Sequence, residues 1–172
     1  MELEPLDPGL FGPESRCFGC SPSHAIGFHL TFSRGPDFVV TRFVPDDRHE
    51  GPPGVMHGGL VTTLGDEIAA WTVIGLLRMF GFTASLGARL ARPVRVGVEV
   101  EGRGRIVKQT ARFCDVAVEL AQNGVVAFTG EFKFVLLDEQ GAERLLGGPL
   151  PESWKRFARS LQPRMKEGDG KV

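Results

Sequence analysis

The chain has 172 residues, 42% of them hydrophobic and 24% charged, enough for one domain with its own core. A formal net charge of −1 offers no global field to draw in nucleic acid or an anionic membrane, and the arginines between Arg89 and Arg112 are spaced along strand-like sequence, not blocked. The acidic start Met1-Glu2-Leu3-Glu4 lacks the basic, apolar make-up of a secretory signal, the longest apolar run is about half a bilayer span, and three cysteines is an odd count for a stapled scaffold; a reducing cytoplasm is the expected compartment, with no membrane contact.

Residues 1–16 are rich in Pro and Gly and read as an irregular lead-in. Phe28-His29-Leu30-Thr31-Phe32 alternates apolar and polar, Arg34-Gly35-Pro36-Asp37 is turn chemistry, and Phe38 to Val44 is a second strand, so a hairpin is expected. Pro45 to Met56 reads as a loop. Gly58 to Phe80 predicts a helix, with Gly81 ending it. Small and apolar residues lie all round its middle, which is the pattern of a buried helix. Val94, Val96, Val98 and Val100 alternate as in a two-faced strand, and Gly102 and Gly104 suggest a bulge or bend. Phe113 to Ala121 and Val125 to Leu137 flank Asn123-Gly124, a strong hairpin signal. Pro151 to Leu161 predicts a short terminal helix, and Met165 to Val172 a solvated tail. The order is α+β: two strands, one long buried helix, then about four antiparallel strands that must cover it.

The chemistry concentrates at His57-Gly58-Gly59. Two residues without Cβ allow a sharp turn and a close approach to a ligand. If the helix begins there, its first N–H groups lack intrahelical partners and, helped by the helix dipole, can receive an oxyanion. Asp66 follows about two turns later, and Glu67 is rotated from it by about 100°, so the two acids cannot share one role. Taken alone, the same residues also fit a plain turn and a solvent-facing Asp.

The run His57-Gly58-Gly59-Leu60-Val61-Thr62-Thr63-Leu64-Gly65-Asp66-Glu67 resembles the signature of hotdog-fold acyl-CoA thioesterases, in the PaaI-like branch typified by phenylacetyl-CoA thioesterases. Cys17-Phe18-Gly19-Cys20, Gly27-Phe28-His29-Leu30 and Ala91-Arg92-Pro93-Val94 match further segments of that branch, so the resemblance covers roughly residues 17–137. It implies a hotdog fold: a long central helix wrapped by a curved antiparallel sheet of about 5–6 strands. The hotdog domain would span 27–137, after an irregular 1–26 segment and before a C-terminal extension, 138–172. It also implies hydrolysis of an acyl-CoA thioester, with coenzyme A as part of the substrate and no other cofactor, in a homodimer or dimer of dimers whose sites lie at the interface. The Gly58 amide would hold the thioester oxygen, Asp66 would act as nucleophile or general base, and Thr83 would help place water from the partner subunit. Resembled proteins often carry Asn or Gln six residues before the His; this chain has Gly51, and His49 or Glu50 would supply that polar contact.

Other residues carry weaker signals. His57 is a candidate base, or it orients the loop. Gly59 and Glu67 lie where they could meet substrate, with Glu67 as an alternative acid. Arg89, Arg92, Arg95, Arg103 and Arg105 could meet coenzyme A phosphates, or form an ordinary solvated face. Phe80 and Phe82 could line an acyl pocket or the core; Trp71 and Cys114 read as core. Cys17 and Cys20 with His24 and His29 can be written as a Cys2His2 set. The Cys-to-His gap is too short for a zinc finger, so no metal is expected. An acyl-CoA-binding protein without turnover, a sensor or carrier, is the alternative function, favoured by Gly51; a hydratase on the same fold is a weaker third.

Overall fold

A computed structural model describes residues 2–160 of the chain. One helix, α1 (Gly58–Leu77), is wrapped by an antiparallel sheet of seven strands: β1 (Glu4–Leu6), β2 (Phe32–Arg34), β3 (Val39–Phe43), β4 (Phe80–Leu90), β5 (Val100–Gln109), β6 (Phe113–Gln122) and β7 (Val125–Leu137). Their order across the sheet is β1-β2-β3-β5-β6-β7-β4. Two short helices, α2 (Glu139–Leu146) and α3 (Glu152–Arg159), follow. This is the hotdog fold. Its core joins α1 residues Val61, Leu64, Ile68, Trp71 and Val73 to the sheet residues Val39, Val116, Leu120, Phe128, Phe132 and Phe134. By composition α1 is long and apolar enough to cross a membrane, but here it is the buried core helix.

The β2–β3 hairpin forms, pairing Ser33 with Val40 and Arg34 with Val39. The Asn123-Gly124 turn also forms, with both residues at positive φ (51° and 75°) between β6 and β7, as such a turn requires. Elsewhere the elements shift. The strand expected over 28–32 reaches the ladder only at Phe32, because His29 takes φ 54° and residues 28–30 pair with another loop (Phe28 N–H to Phe18 O, Leu30 N–H to Gly19 O). Three residues of the lead-in form β1 on the outer side of β2, the seventh strand where five or six were expected. There Arg34 pairs with Glu4 at 2.6 Å.

Gly81 does not end the helix. Arg78 does, in the left-handed conformation (φ 53°), with its N–H on the Ile74 carbonyl. A side chain at positive φ is unusual, and this one is clamped. Its guanidinium donates to Phe157 O and Ser160 Oγ and lies 4.5 Å from the centre of the Phe157 ring. Gly81 is instead the second residue of β4. The valine alternation over Val94–Val100 is real, but it belongs to a loop. Met56 N–H bonds to Val94 O and Val96 N–H to Gly54 O, so the backbone here is tied to the 45–56 loop while Val94 and Val100 turn into the core, and β5 begins only at Val100.

Gly102 and Gly104 are neither bulge nor bend: both lie in the regular part of β5, whose irregularity falls between Ile106 and Lys108. They let α1 come close. A Cβ on Gly102 would run into Ile68, and one on Gly104 would overlap the Thr72 hydroxyl. Thr72 cannot swing away, since it is buried and bonds to Ile68 O at 2.7 Å. Gly104→Ala should therefore cost about 1–3 kcal/mol by overpacking. Urea unfolding reads this directly, and an unchanged midpoint would show that α1 yields.

The terminal helix forms, and α2 precedes it, capped by Asp138, whose side chain accepts from Gly141 N–H at 2.7 Å. Trp154 of α3 stacks on Phe11 (5.2 Å) and meets Phe80 edge-on. The lead-in and the C-terminal extension thus pack together over one end of α1. The tail expected over Met165 to Val172 lies outside the described residues.

Candidate active site

The helix start is built by its own sequence. His57 is the N-cap, extended at φ −59° and ψ 131°, and its Nδ1 accepts from Gly59 N–H at 3.0 Å. Val61 N–H returns to His57 O at 3.0 Å. Among the described residues no acceptor faces the Gly58 or Leu60 N–H, so these amides point outward from the positive end of a 20-residue helix. This capping uses the His57 ring as a loop orienter.

Asp66 lies on the face of α1 turned to β4. Thr83 Oγ1 donates to Asp66 Oδ1 at 2.9 Å, within one chain, so no second subunit is needed to bring this hydroxyl to the acid. The register of β4 against β7 slips between Thr83 and Ser85, and this bulge sits beside the carboxylate. Bulges re-aim side chains near active sites. Burial raises the Asp66 carboxyl above the ordinary 3.8, partly offset by the Thr83 hydrogen bond. A raised carboxyl pKa means that the folded chain holds the proton more tightly than the unfolded one. Stability from this group is complete below the unfolded value and declines as pH climbs through the raised one. Asp66→Asn removes that penalty. The variant is expected to melt at or above the wild-type temperature at pH 7.5, with the gap closing towards pH 4; a lower melting temperature at pH 7.5 would mean that the bond to Thr83 outweighs burial.

Glu67 faces elsewhere, as the helical rotation requires. Its Oε1 accepts from Cys17 Sγ at 3.2 Å and from Trp71 Nε1 at 3.3 Å. Burial, and then the adjacent Cys17, push its carboxyl up to about 8. Cys17 is lowered to about 5, chiefly by hydrogen bonding from Cys20, whose own thiol is raised. Glu67 is thus separated from Asp66 and joined to the Cys17–Cys20 loop, which residue types alone did not reveal. Trp71, four residues on and so on the same face, was the available hint.

The loop residues build; they do not reach Asp66. His49 is 3% exposed, ringed by Phe28 and Phe43 at 5.3 and 5.1 Å. Its Nδ1 accepts from Asp46 N–H at 3.0 Å, and its carbonyl holds His57 N–H at 2.8 Å. Glu50 Oε1 accepts from Gly54 N–H at 2.9 Å. Neither supplies the polar contact expected in place of residue 51. Gly51 lies against His57: a Cβ there would stand 3.0 Å from the His57 Cα. Among the arginines, Arg103 pairs with Glu101 and Arg105 with Asp37, while Arg92 is exposed just past β4. Phe80 belongs to the core beside Phe11 and Trp154, whereas Phe82 is exposed on β4. Trp71 and Cys114 are core, as expected.

A core helix that opens on unpaired amides, carries a half-buried acid and is enclosed by an antiparallel sheet defines the hotdog fold. Residues 53–126 match the family model described as "Thioesterase superfamily", a span that holds the helix start, Asp66 and β4. No curated protein matches the chain. Solved structures share the fold. A Haemophilus influenzae thioesterase is 20% identical over 69% of this chain and 85% of its own, with a TM-score of 0.62. A putative thioesterase from Ralstonia eutropha, described as phenylacetic acid degradation-related, is 24% identical over 67% and 90%, with a TM-score of 0.60. A hypothetical thioesterase from Streptococcus pneumoniae, crystallised with coenzyme A, is 22% identical over 58% and 81%, with a TM-score of 0.56.

Proposed function

We propose that this protein hydrolyses acyl-CoA thioesters to the free acid and coenzyme A, as a PaaI-like member of the thioesterase superfamily. The observation that carries the reading is the Asp66–Thr83 pair: a half-buried carboxylate, raised in basicity and held by one hydroxyl. A thioester is activated towards attack, so a carboxylate and an oxyanion site suffice. Asp66 acts as base towards water or as nucleophile, and the Gly58 N–H receives the charge that develops on oxygen. Arg92, exposed and just past β4, meets the phosphates of coenzyme A.

The two groups cannot act on one substrate from one chain. Eight helical residues separate Gly58 from Asp66, about 12 Å along the axis, whereas each must come within about 3–3.5 Å of the reacting carbonyl. A second copy solves this. β4 is the end strand of the sheet, eleven residues long, and its exposed Phe82, Leu86 and Leu90 (51%, 48% and 51%) leave an apolar edge without a neighbour. Leu90 lies beside Gly58, and Thr83 beside Asp66. Pairing β4 with an antiparallel copy about a two-fold axis near Leu86 sets the Asp66 end of one subunit against the Gly58 end of the other.

The second reading, an acyl-CoA binder without turnover, draws on Gly51, where the backbone packed on His57 leaves no place for a side chain to position water. A thiol-release assay over a panel of aliphatic and aromatic acyl-CoAs separates the two. We expect release from at least one member; tight binding with no release from any of them would establish the binder.

A further inference from the structure

Cys17, Cys20 and Glu67 bring their ligand atoms together, all within 4.8 Å of one another. The sulfur of Cys17 is 3.2 Å from Glu67 Oε1. Zinc bonds of about 2.3 Å to sulfur and 2.0 Å to oxygen in a tetrahedron place neighbouring ligands about 3.5–3.8 Å apart. The trio therefore needs only small shifts to close on an ion. Cys17 and Cys20 come from one loop and Glu67 from α1, fifty and forty-seven positions away in sequence, so a bound ion would fasten the loop to the core helix.

The surroundings suit a cation. Of the two described hydrogen bonds to Glu67 Oε1, the one from Cys17 is given up when that thiol loses its proton to an ion, and Trp71 Nε1 remains as an outer donor that fixes the carboxylate's orientation. Cys20 N–H points at Cys17 Sγ at 3.5 Å, a contact that supports a thiolate. The loop is held in place without the ion, through Ser21 N–H to Cys17 O, Phe28 N–H to Phe18 O and Leu30 N–H to Gly19 O. Gly19 is required where it stands, since a Cβ there would run into the Glu67 carboxylate. Beside the trio lies a cavity of about 350 Å³, walled by Phe11, Trp71 and Phe80, from which water can reach a fourth coordination position. His24 and His29 take no part. The His29 ring bonds to the His24 carbonyl, and His24 Nδ1 faces Ile26 N–H.

We propose that Cys17, Cys20 and Glu67 bind one Zn2+ per chain, with water as fourth ligand, in a site separate from Asp66. Two thiolates select a soft ion such as zinc over magnesium or calcium. The expectation of no metal drawn from sequence rested on a Cys2His2 set; the structure replaces the two histidines with a carboxylate from the helix.

The full chain, kept reduced with a phosphine so that no disulfide competes, is stripped with chelator and loaded with Zn2+ or Co2+. The expected result is about one zinc retained per chain through gel filtration and a thiolate-to-cobalt charge-transfer band with tetrahedral visible bands. Cys17→Ser, Cys20→Ser and Glu67→Gln should each weaken zinc by more than the roughly 10–100-fold that an outer-sphere change costs. His24→Ala with His29→Ala should retain it. Folded, reduced wild-type protein that takes up no zinc and shows no cobalt–thiolate band would overturn the proposal. So would loss of zinc in the double histidine variant, or its full retention in the cysteine variants.

Discussion

Asp66→Asn is expected to lower kcat for thioester hydrolysis by about 10²–10⁴-fold, the span a positioned acid or base supplies. The exchange is close to isosteric, and the amide oxygen still accepts from Thr83, so the β4 bulge and the helix face stay in place. What goes is the basic oxygen. KM should change little, because the carboxylate is asked to act in the transition state and not in holding coenzyme A. The pH profile carries a second signature. Asp66 must be ionised to act, and burial raises its pKa. The acidic limb of kcat/KM should therefore lie above the ordinary carboxylate range, and Thr83→Ala should move it further up by removing the bond that lowers it. A variant within threefold of wild-type turnover would exclude Asp66 and return attention to a group outside this pair.

Gly58→Pro should cost about 10²–10³-fold in kcat, the loss measured when one oxyanion donor is removed. Proline is the one substitution that deletes the N–H while suiting the site. It is favoured at the first helical position, and His57 before it already holds the extended conformation that a following proline demands. A Cβ at this position meets only the flexible end of Leu90. Gly58→Ala, which keeps the N–H, is the control and should stay near wild type. The pair of inactive variants also tests the shared site. Mixed and refolded together, Asp66→Asn and Gly58→Pro chains give hybrid dimers in which one of the two sites draws both groups from unmutated positions. About a quarter of wild-type activity should then return from random pairing. No recovery despite proven hybrid formation would place both groups of each site in a single chain.

Much of the fold was legible because its loudest signals are periodic or chemical. Apolar residues on every side of 58–77 could only mean burial, Asn123-Gly124 could only be a tight turn, and the 100° step between Asp66 and Glu67 sent the acids to different neighbours before any coordinates did. Three things were hidden. β4 has no alternation: its Phe-Gly-Phe-Thr-Ala-Ser-Leu-Gly-Ala-Arg-Leu mixes small and apolar residues with no period of two. The valines of 94–100 alternate with a strand's period, but their segment is a loop tied by backbone bonds to another loop, with Val94 and Val100 turned into the core. The meaning of Gly102, Gly104 and Gly19 lay in what approaches them from far along the chain, which no local window contains. For the site, the helix start and Asp66 were readable, and Thr83 came from resemblance alone. The meeting of Glu67 with Cys17 and Cys20 required the tertiary structure.

The two rims of the sheet are unequal, and that inequality limits growth. At one rim β1 is three residues long and bolted down by the Glu4–Arg34 ion pair, too short to template another chain. At the other, β4 presents eleven residues. A copy that pairs through β4 would use the one long rim among the described residues, and the two-fold operation would leave a blunt, short strand at each outer end. Head-to-tail stacking into a fibre would need a second adhesive rim, and among the described residues there is none. If two copies join through β4 as proposed, the lead-in that reads as formless sequence would act as a terminator and make the joining of two sheets a finite event.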